Sequence, residues 1–244
     1  MITCWFTLLM SLSNIIHTKN KTQLVVLVDP DKFNLQLIKL AAKSKVAFFL
    51  VGGSTLKKNN MAAVVSKIKK HTKKPVIIFP GHENQICKNA DGLLLLSLIS
   101  GRNPEYLIGK HVKAASVIQK LKLKSFPVGY ILVNGNRTST TQKVTKTKSL
   151  SPSAIKLITD TALAGEQLGL KAIYLEAGSG AKTNVNIKVI KAVKRKISIP
   201  LFVGGGIDSA EKARQAVKAG ANFIVVGNAL EKNLYLLSEI EKTV

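Results

Sequence analysis

Asp29 and Glu176 stand directly after short apolar runs in a chain that has few acids, with 13 Asp and Glu against 37 Lys and Arg. Asp29 is followed by Pro30-Asp31-Lys32, and Ser54 closes the next apolar run. If these runs are adjacent strands, one carboxylate and one hydroxyl lie near each other. Such an incomplete set of oxygen ligands suits Mg²⁺, because this ion keeps waters and takes phosphate oxygens as further ligands. We therefore expect Mg²⁺ as the cofactor, held by Asp29 and Ser54.

Each of these acids also has an ordinary structural explanation. Asp29 could cap the following helix, although Asp31 or Asn34 is better placed to do so. Glu176 could pair with a lysine, but it immediately precedes a glycine-rich turn, where it would repel a phosphate unless it faced another part of the ligand. A hydroxyl that must lose a proton is such a part, so Glu176 is the candidate general base. Tyr174 lies two residues earlier and could bind the same ligand or fill the interior.

Glycine-rich turns follow three consecutive apolar runs in the C-terminal half: Gly178-Ser179-Gly180, Gly204-Gly205-Gly206 and Gly227-Asn228. Glycine lets backbone N–H groups approach an anion without a Cβ in the way. A helix that begins at Asp208 or Ala229 would add a favourable dipole. Tight turns alone explain any one of these sequences, whereas three on consecutive units favour a phosphate site.

The elements that must position these residues are alternating strands and helices. Eight runs are apolar at nearly every position, which indicates strands buried on both faces of a parallel sheet. They are Gln23–Val28, Val46–Val51, Pro75–Phe79, Gly92–Leu96, Val128–Val133, Ala172–Leu175, Leu201–Val203 and Phe223–Val226. Eight such strands predict a (β/α)8 TIM barrel with its site at the carboxyl ends of the strands. A doubly wound open sheet is the alternative.

Amphipathic stretches between these runs predict helices over Leu35–Lys43, Asn60–Lys70, Glu105–Lys122, Pro152–Gly169, Asn186–Lys196, Ala210–Ala219 and Leu230–Lys242. Ser151 and Asp208-Ser209 are candidate start signals. The segment after the third strand, Gly81–Ala90, has little helical periodicity. The barrel is therefore predicted to be modified, with a weak or missing third helix.

Composition bounds the remaining possibilities. The net charge of +24 raises nucleic acid as a partner, but only four basic residues are Arg and no aromatic platform accompanies the lysines. We therefore expect no nucleic-acid partner, and the charge leaves peripheral contact with an anionic membrane open.

Two cysteines cannot form a disulfide framework, which favours a cytoplasmic location. The apolar start lacks a cleavage site and is too short to span a bilayer. We expect residues 1–9 to be an extension and residues 10–244 a single barrel domain, with Met10 a plausible start.

Seven motifs, in this order and spacing, resemble those of the geranylgeranylglyceryl phosphate synthases and their heptaprenyl relatives. The similarity runs from about Met10 to the C-terminus and is closest to the larger archaeal and bacterial subgroup, less so to the bacterial dimeric branch. The motifs are Leu27-Val28-Asp29-Pro30-Asp31-Lys32, Val51-Gly52-Gly53-Ser54, Gly109-Lys110-His111, Gly129-Tyr130-Ile131-Leu132, Tyr174-Leu175-Glu176-Ala177-Gly178-Ser179-Gly180-Ala181, Gly204-Gly205-Gly206-Ile207 and Val226-Gly227-Asn228.

The resemblance implies a prenyltransferase that joins a long-chain prenyl diphosphate, geranylgeranyl diphosphate first among them, to the C3 hydroxyl of sn-glycerol 1-phosphate. This reaction makes the first ether bond of archaeal-type lipids. Asp29 and Ser54 would bind Mg²⁺. The resemblance also implies a homo-oligomer. Glycerol phosphate would be held by Tyr174, Leu175, Glu176, Ala177, Gly178, Ser179, Gly180, Gly205, Gly206, Gly227 and Asn228.

The chain departs from the family pattern between Asn134 and Ser149, where a Thr- and Lys-rich stretch suits a mobile cover over the diphosphate. Two alternatives remain from the residues alone. A phosphosugar isomerase would share the phosphate site but would need an acid/base pair in place of a metal. A basic nucleic-acid-binding protein, which would account for the net positive charge, is the second alternative.

Overall fold

Eight parallel strands close into a barrel in the computed structural model, which describes residues 12–16, 21–53, 56, 60–133, 139–179, 181 and 183–244. The strands are β1 (Gln23–Val28), β2 (Phe48–Val51), β3 (Val76–Ile78), β4 (Gly92–Leu98), β5 (Ser125–Leu132), β6 (Ala172–Glu176), β7 (Leu201–Gly204) and β8 (Phe223–Val226). Each strand pairs with its neighbour in sequence, and β8 pairs with β1 to close the barrel. The prediction of a (β/α)8 barrel is confirmed, and the alternative of a doubly wound open sheet is wrong.

The strands are buried on both faces, as their continuous apolar sequences predict. Alternate residues point into the barrel, where Val25, Phe48, Leu94, Tyr174 and Phe202 belong to one packed cluster. The intervening residues pack against the helices in a second cluster. Gly52 shows how close the strands approach, because a Cβ at this position would overlap the carbonyl group of Phe79 on the neighbouring chain segment.

The helices of the described residues are α1 (Leu12–Ile15), α2 (Leu35–Lys43), α3 (Met61–Lys69), α4 (Lys110–Leu121), α5 (Thr140–Thr145), α6 (Ile155–Gln167), α7 (Ile187–Lys196), α8 (Ala210–Lys218), α9 (Asn228–Lys232) and α10 (Leu236–Glu241). Polar side chains start several of them. Asn34 Oδ1 accepts from the N–H groups of Gln36 and Leu37, and Ser209 Oγ accepts from Lys212 N–H. The predicted start signal at Ser209 is confirmed.

The helix after β3 is missing, as predicted. A single 3-10 turn at Glu83–Gln85 takes its place before β4 begins. Gln85 holds this segment in place, because its side chain accepts from Gly81 N–H and donates to the Gly53 carbonyl oxygen. An apolar pocket lies between this turn, β4 and α4.

Two helix predictions need correction. The helix predicted over Pro152–Gly169 begins only at Ile155, because Ser151 closes a turn with Ser153 and Ala154 instead of capping a helix. The helix predicted over Leu230–Lys242 is two helices, α9 and α10. Asn233 separates them, since its side chain accepts from Tyr235 N–H and so competes with the helical hydrogen bonds.

The stretch from Asn134 to Ser149, expected to be a mobile cover, contains a helix that was not predicted. Residues 134–138 lie outside the described part, and α5 lies at the mouth of the barrel, where Thr140 and Thr141 line the cavity. Ser139 and Gln142 form a reciprocal capping box at its start. The Tyr106 hydroxyl donates to the Val144 carbonyl oxygen and ties α5 down.

The first described helix, α1, closes the opposite end of the barrel. Leu12 and Ile16 are almost fully buried against the interior cluster. The Leu12 side chain occupies the space that a side chain at Gly92 would need. The expected extension, residues 1–9, lies outside the described residues.

Candidate active site

A cavity of about 490 Å³ opens at the carboxyl ends of the strands. Acidic, glycine and aromatic residues from several strand ends line it. They are Leu27, Asp29, Lys32, Gly52, Gly53, Phe79, Tyr130, Thr140, Thr141, Tyr174, Glu176, Ser179, Ala181, Gly205, Gly206, Ile207, Asp208, Val225, Val226, Gly227, Asn228, Ala229, Glu231 and Lys232. Most of the candidate residues whose positions are described therefore meet in one cavity.

Glu176 is the last residue of β6 and is buried, with 6% of its surface exposed. Its Oε1 accepts a 2.6 Å hydrogen bond from Gly178 N–H. Burial raises the pKa of Glu176 to about 7, and the Gly178 N–H and the nearby Tyr174 hydroxyl offset part of this rise. A carboxyl group with this pKa can accept a proton near neutral pH and is suited to general-base catalysis.

The glycines after β7 are shaped around Glu176. Gly205 and Gly206 have φ angles of +78° and +68°, which L side chains rarely adopt. A Cβ at Gly205 would overlap Glu176 Oε1, and it would also crowd the N–H of Gly178. Gly205 thus makes room for the carboxylate as well as for a ligand.

Tyr174 points into the barrel and is fully buried. Its ring lies 5.3 Å from the Tyr130 ring and 5.9 Å from the Phe202 ring, both stacked. Its hydroxyl lies near the Glu176 carboxyl but makes no hydrogen bond of regular geometry to any described residue. Burial, and then the Glu176 charge, raises the pKa of Tyr174 well above its usual value, so the hydroxyl stays protonated and can donate to a ligand.

Asp29 also lines the cavity, and it caps the 3-10 turn Pro30–Lys32. Its Oδ1 accepts from Asp31 N–H at 3.0 Å, whereas the following helix, α2, is capped by Asn34, as expected. Asp29 Oδ2 lies 3.6 Å from Lys32 Nζ and remains accessible. Ser54 and Gly180 lie outside the described residues.

The donor set around Asp29 fits Mg²⁺ that retains waters and uses substrate oxygens. No group of three or more His, Cys, Asp or Glu side chains that could hold a metal occurs in the described part of the chain. One accessible carboxylate at a cavity wall is nevertheless what Mg²⁺ uses beside substrate phosphates. Asp29 is the described residue that would hold it.

The turns after β6 and β8 are joined by a side-chain contact. Asn228 Nδ2 donates to Ser179 Oγ at 3.1 Å. The side chains of Leu175 and Ala177 belong to the cluster between sheet and helices, so only their backbone groups could contact a ligand in the cavity. Gly178 N–H is already engaged by Glu176.

Glu231 was not identified from the sequence. It follows β8 on α9, and its carboxylate lies 3.7 Å from Lys32 Nζ. Burial raises the pKa of Glu231, and the Asp29 carboxylate raises it further, while Lys32 lowers it. Nothing in the local sequence distinguishes Glu231 from an exposed helical acid. Only the closure of β8 onto β1 brings it beside Asp29.

A second, apolar pocket of about 120 Å³ adjoins the cavity where the helix after β3 is missing. Gly53, Phe79, Tyr130 and Thr141 line both. Its other walls are mostly aliphatic and aromatic: Ile86, Leu93, Leu95, Leu96, Leu98, Tyr106 and Ala114. The ion pair between Glu83 and Lys110 Nζ, at 2.8 Å, lies at its edge. A polar cavity and an apolar pocket thus share one wall.

The barrel combines a buried carboxyl of raised pKa with glycine turns and an adjoining apolar pocket, and these are features of an enzyme active site. Comparison with known proteins agrees. A family model described as the PcrB family matches residues 15–244, and the chain belongs to this family.

Named relatives and solved structures are similar along almost the whole chain. The geranylgeranylglyceryl phosphate synthase of Zunongwangia profunda is 48% identical over 215 residues, which cover 87% of this chain and 92% of that protein. The Thermococcus kodakarensis protein of the same name is 40% identical, covering 85% and 83%. A crystal structure of (S)-3-O-geranylgeranylglyceryl phosphate synthase from Thermoplasma acidophilum, in complex with the substrate sn-glycerol-1-phosphate, superposes with a TM-score of 0.89 at 30% identity, covering 96% and 98%.

The predicted resemblance is confirmed, and the chain is a prenyltransferase. These similarities favour the prenyltransferase interpretation of the sequence over its two alternatives, a phosphosugar isomerase and a nucleic-acid-binding protein. Among the residues that the structure describes, no helix is both long enough and apolar enough to cross a membrane.

Proposed function

We propose that the protein transfers a long-chain prenyl group, with geranylgeranyl as the leading candidate, from its diphosphate to the C3 hydroxyl of sn-glycerol 1-phosphate. The observation that carries this proposal is Glu176, a buried carboxyl of raised pKa that lines the same cavity as the glycine turns and Asp29. The names of the relatives and the ligand of the Thermoplasma acidophilum structure support the choice of substrates.

Glycerol phosphate binds with its phosphate at the turns after β7 and β8. Gly206 and Gly227 line the cavity there, and Asn228 is fixed by Ser179. The glycerol hydroxyls then face Tyr174 and Glu176 at the centre of the barrel. The Tyr174 hydroxyl, which makes no regular hydrogen bond to the described residues, gains one from this arrangement.

Glu176 orients the attacking hydroxyl and accepts its proton as the new C–O bond forms. The attacked allylic carbon becomes electron-poor as its bond to the diphosphate oxygen breaks. The rings of Phe79 and Tyr130 also line the cavity, and aromatic π faces attract positive charge such as that on the allylic carbon. The electron pair of the broken bond leaves with the diphosphate.

Mg²⁺ would supply positive charge to the departing diphosphate, and Asp29 would hold it at the wall formed by β1. The carboxylate is oriented in advance, because Asp31 N–H fixes Oδ1 and Oδ2 lies beside Lys32 Nζ. Ser54, which follows β2 in sequence, remains the second expected ligand.

The prenyl chain occupies the apolar pocket between β4, the 3-10 turn at Glu83–Gln85 and α4. This pocket is lined mainly by aliphatic side chains and joins the cavity at Phe79 and Tyr130. Its volume of about 120 Å³ is smaller than the roughly 300–1,000 Å³ common for organic ligands of comparable size. The walls therefore move apart when the chain enters.

A homo-oligomer is also proposed. Ile108, in the π-helical turn Glu105–Gly109 that leads into α4, and Val112, in α4, are large apolar residues that are 58% and 68% exposed. A second copy of the chain covering this face would bury them. Sedimentation of the purified protein tests this directly, since a monomer at all concentrations contradicts it.

The function is tested by incubating the purified protein with radiolabelled sn-glycerol 1-phosphate, Mg²⁺ and prenyl diphosphates of several lengths. We expect label in the organic extract that depends on both Mg²⁺ and prenyl diphosphate. A parallel reaction with the glycerol 3-phosphate enantiomer is the matched control. No extractable label with any prenyl diphosphate would contradict the proposal.

A further inference from the structure

A lysine side chain lies at the rim of the cavity between two carboxylates. Lys32, in the 3-10 turn after β1, places its Nζ 3.6 Å from Asp29 Oδ2 and 3.7 Å from Glu231 Oε2. The Glu231 side chain is only 13% exposed, while that of Lys32 is 53% exposed. All three residues line the cavity. The ammonium group is thus anchored where β8 meets β1 and is still open to a ligand.

The charges of the cavity make this lysine significant. Its described lining contains four acids, Asp29, Glu176, Asp208 and Glu231, against two basic residues, Lys32 and Lys232. A diphosphate carries several negative charges and would be repelled by the carboxylates unless cations stood between them. Lys32 is the one of these two lysines that is ion-paired to Asp29, the expected ligand of Mg²⁺.

We propose that Lys32 binds the diphosphate leaving group; this inference rests on the proposed function. Asp29 and Glu231 hold the ammonium group at the rim until diphosphate oxygens replace them as its partners. As the allylic C–O bond breaks, its electron pair passes to the diphosphate oxygen, and the Lys32 charge stabilises that oxygen. The glycerol C3 oxygen bonds to the allylic carbon, and its proton passes to Glu176.

The site of glycerol phosphate has other donors. The turns after β7 and β8 offer backbone N–H groups and Asn228, so that phosphate does not need Lys32. Removing the lysine should therefore affect one substrate selectively. A role as a surface ion pair alone would affect neither, because exposed pairs contribute little even to stability.

The test is calorimetric titration of the full-length protein with inorganic diphosphate in the presence of Mg²⁺ and sn-glycerol 1-phosphate. Loss of one charge-assisted contact should weaken diphosphate binding about 10- to 100-fold in Lys32→Met, and the same loss is expected in Lys32→Gln. Lys32→Arg keeps the charge and should retain most of the affinity. Lys218→Met, an exposed lysine of α8 outside the cavity, is the charge-matched control and should bind as the wild type does.

Steady-state kinetics give the second readout. KM for the prenyl diphosphate should rise in Lys32→Met, and KM for glycerol phosphate should stay unchanged. Wild-type diphosphate affinity in Lys32→Met would overturn the inference. It would also be overturned if Lys232→Met alone lost the affinity, or if KM for glycerol phosphate rose instead.

The two proposals fail in different ways. A wild-type protein that makes no prenylated product refutes the proposed function. A wild-type protein that makes the product, together with Lys32 variants that bind diphosphate normally, refutes only the role of Lys32.

Discussion

Glu176 and Tyr174 form a buried polar pair on a strand whose other side chains are apolar. Burying a carboxyl group and leaving a hydroxyl without a regular hydrogen bond both cost stability. Such costs are concentrated at functional sites, where a ligand supplies what the free protein lacks. Both residues therefore lower the stability of the free protein, and both provide polar groups for a ligand.

The Tyr174 hydroxyl gives the first prediction. Tyr174→Phe removes a buried group that makes no regular hydrogen bond to the described residues, so it should stabilise the free protein by about 1 kcal/mol. For a chain of this size that corresponds to a rise in Tm of about 2–4 °C. The same variant should bind glycerol phosphate more weakly. A lowered Tm together with unchanged substrate affinity would assign Tyr174 to packing alone.

Asn228 gives the second prediction. Asn228→Asp preserves the shape of the side chain but places a negative charge at the expected phosphate position. KM for glycerol phosphate should rise about tenfold, and KM for the prenyl diphosphate should change much less. Asn233→Asp changes the net charge equally and keeps the acceptor for Tyr235 N–H, so it is the control. Equal effects of the two variants would show a general charge effect and no phosphate contact at Asn228.

At the scale of elements, the missing helix after β3 and the helix α4 define the apolar pocket. The 3-10 turn at Glu83–Gln85 covers less of the sheet than a helix would, which leaves Leu93 and Leu95 facing the pocket. Ala114 is the buried residue of α4 and lies one turn beyond Lys110. Ala114 lines the apolar pocket and, unlike Tyr130, does not line the cavity.

Filling the apolar pocket at Ala114 should change the preferred substrate. Ala114→Leu is expected to shift the prenyl diphosphate of highest kcat/KM toward a shorter chain, because the added carbons occupy part of the pocket. Ala115→Leu adds the same side chain to an exposed neighbouring position and should leave the preference unchanged. An unaltered chain-length profile in Ala114→Leu would mean that the prenyl chain lies elsewhere.

The elements also show what sequence patterns can predict. β1 and α2 begin and end where the apolar pattern predicted them, because turn residues and Asn34 mark their limits. β5 begins at Ser125, before its predicted start at Val128, since Pro127 is tolerated in the sheet although it lacks an N–H. α5 was missed because its Thr- and Lys-rich sequence has no apolar periodicity.

At the scale of the whole molecule, barrel closure creates relations that no local pattern contains. Glu231 reaches Lys32 only because β8 pairs with β1. The raised pKa of Glu176 likewise depends on burial by β7 and the barrel interior, whereas the sequence indicated only that a carboxylate follows an apolar strand. Gly205 was predicted as a phosphate contact, and its further role of accommodating Glu176 became visible only from its position.

The pH dependence of the protein's stability should reflect the raised pKa of Glu176. Its pKa is about 7 in the folded protein and 4.5 for an ordinary glutamate carboxyl, so the folded state binds more protons between these values. Stability is then lost as pH rises from about 4.5 to 7 and is not lost further above pH 7. Glu176→Gln should abolish this loss, raising stability on the order of 2 to 3 kcal/mol at about pH 8 and little at about pH 4. Chemical denaturation at both pH values measures this, and equal stabilisation at the two would exclude a raised pKa.

The most direct test of the account is the kinetics of Glu176→Gln measured together with its affinity for glycerol phosphate. Glutamine still accepts a hydrogen bond from the substrate hydroxyl, so affinity should survive, but it cannot take the proton. The account predicts that kcat falls about 10²- to 10⁴-fold with glycerol phosphate affinity retained. A loss of affinity with kcat unchanged would contradict it and make Glu176 a binding residue.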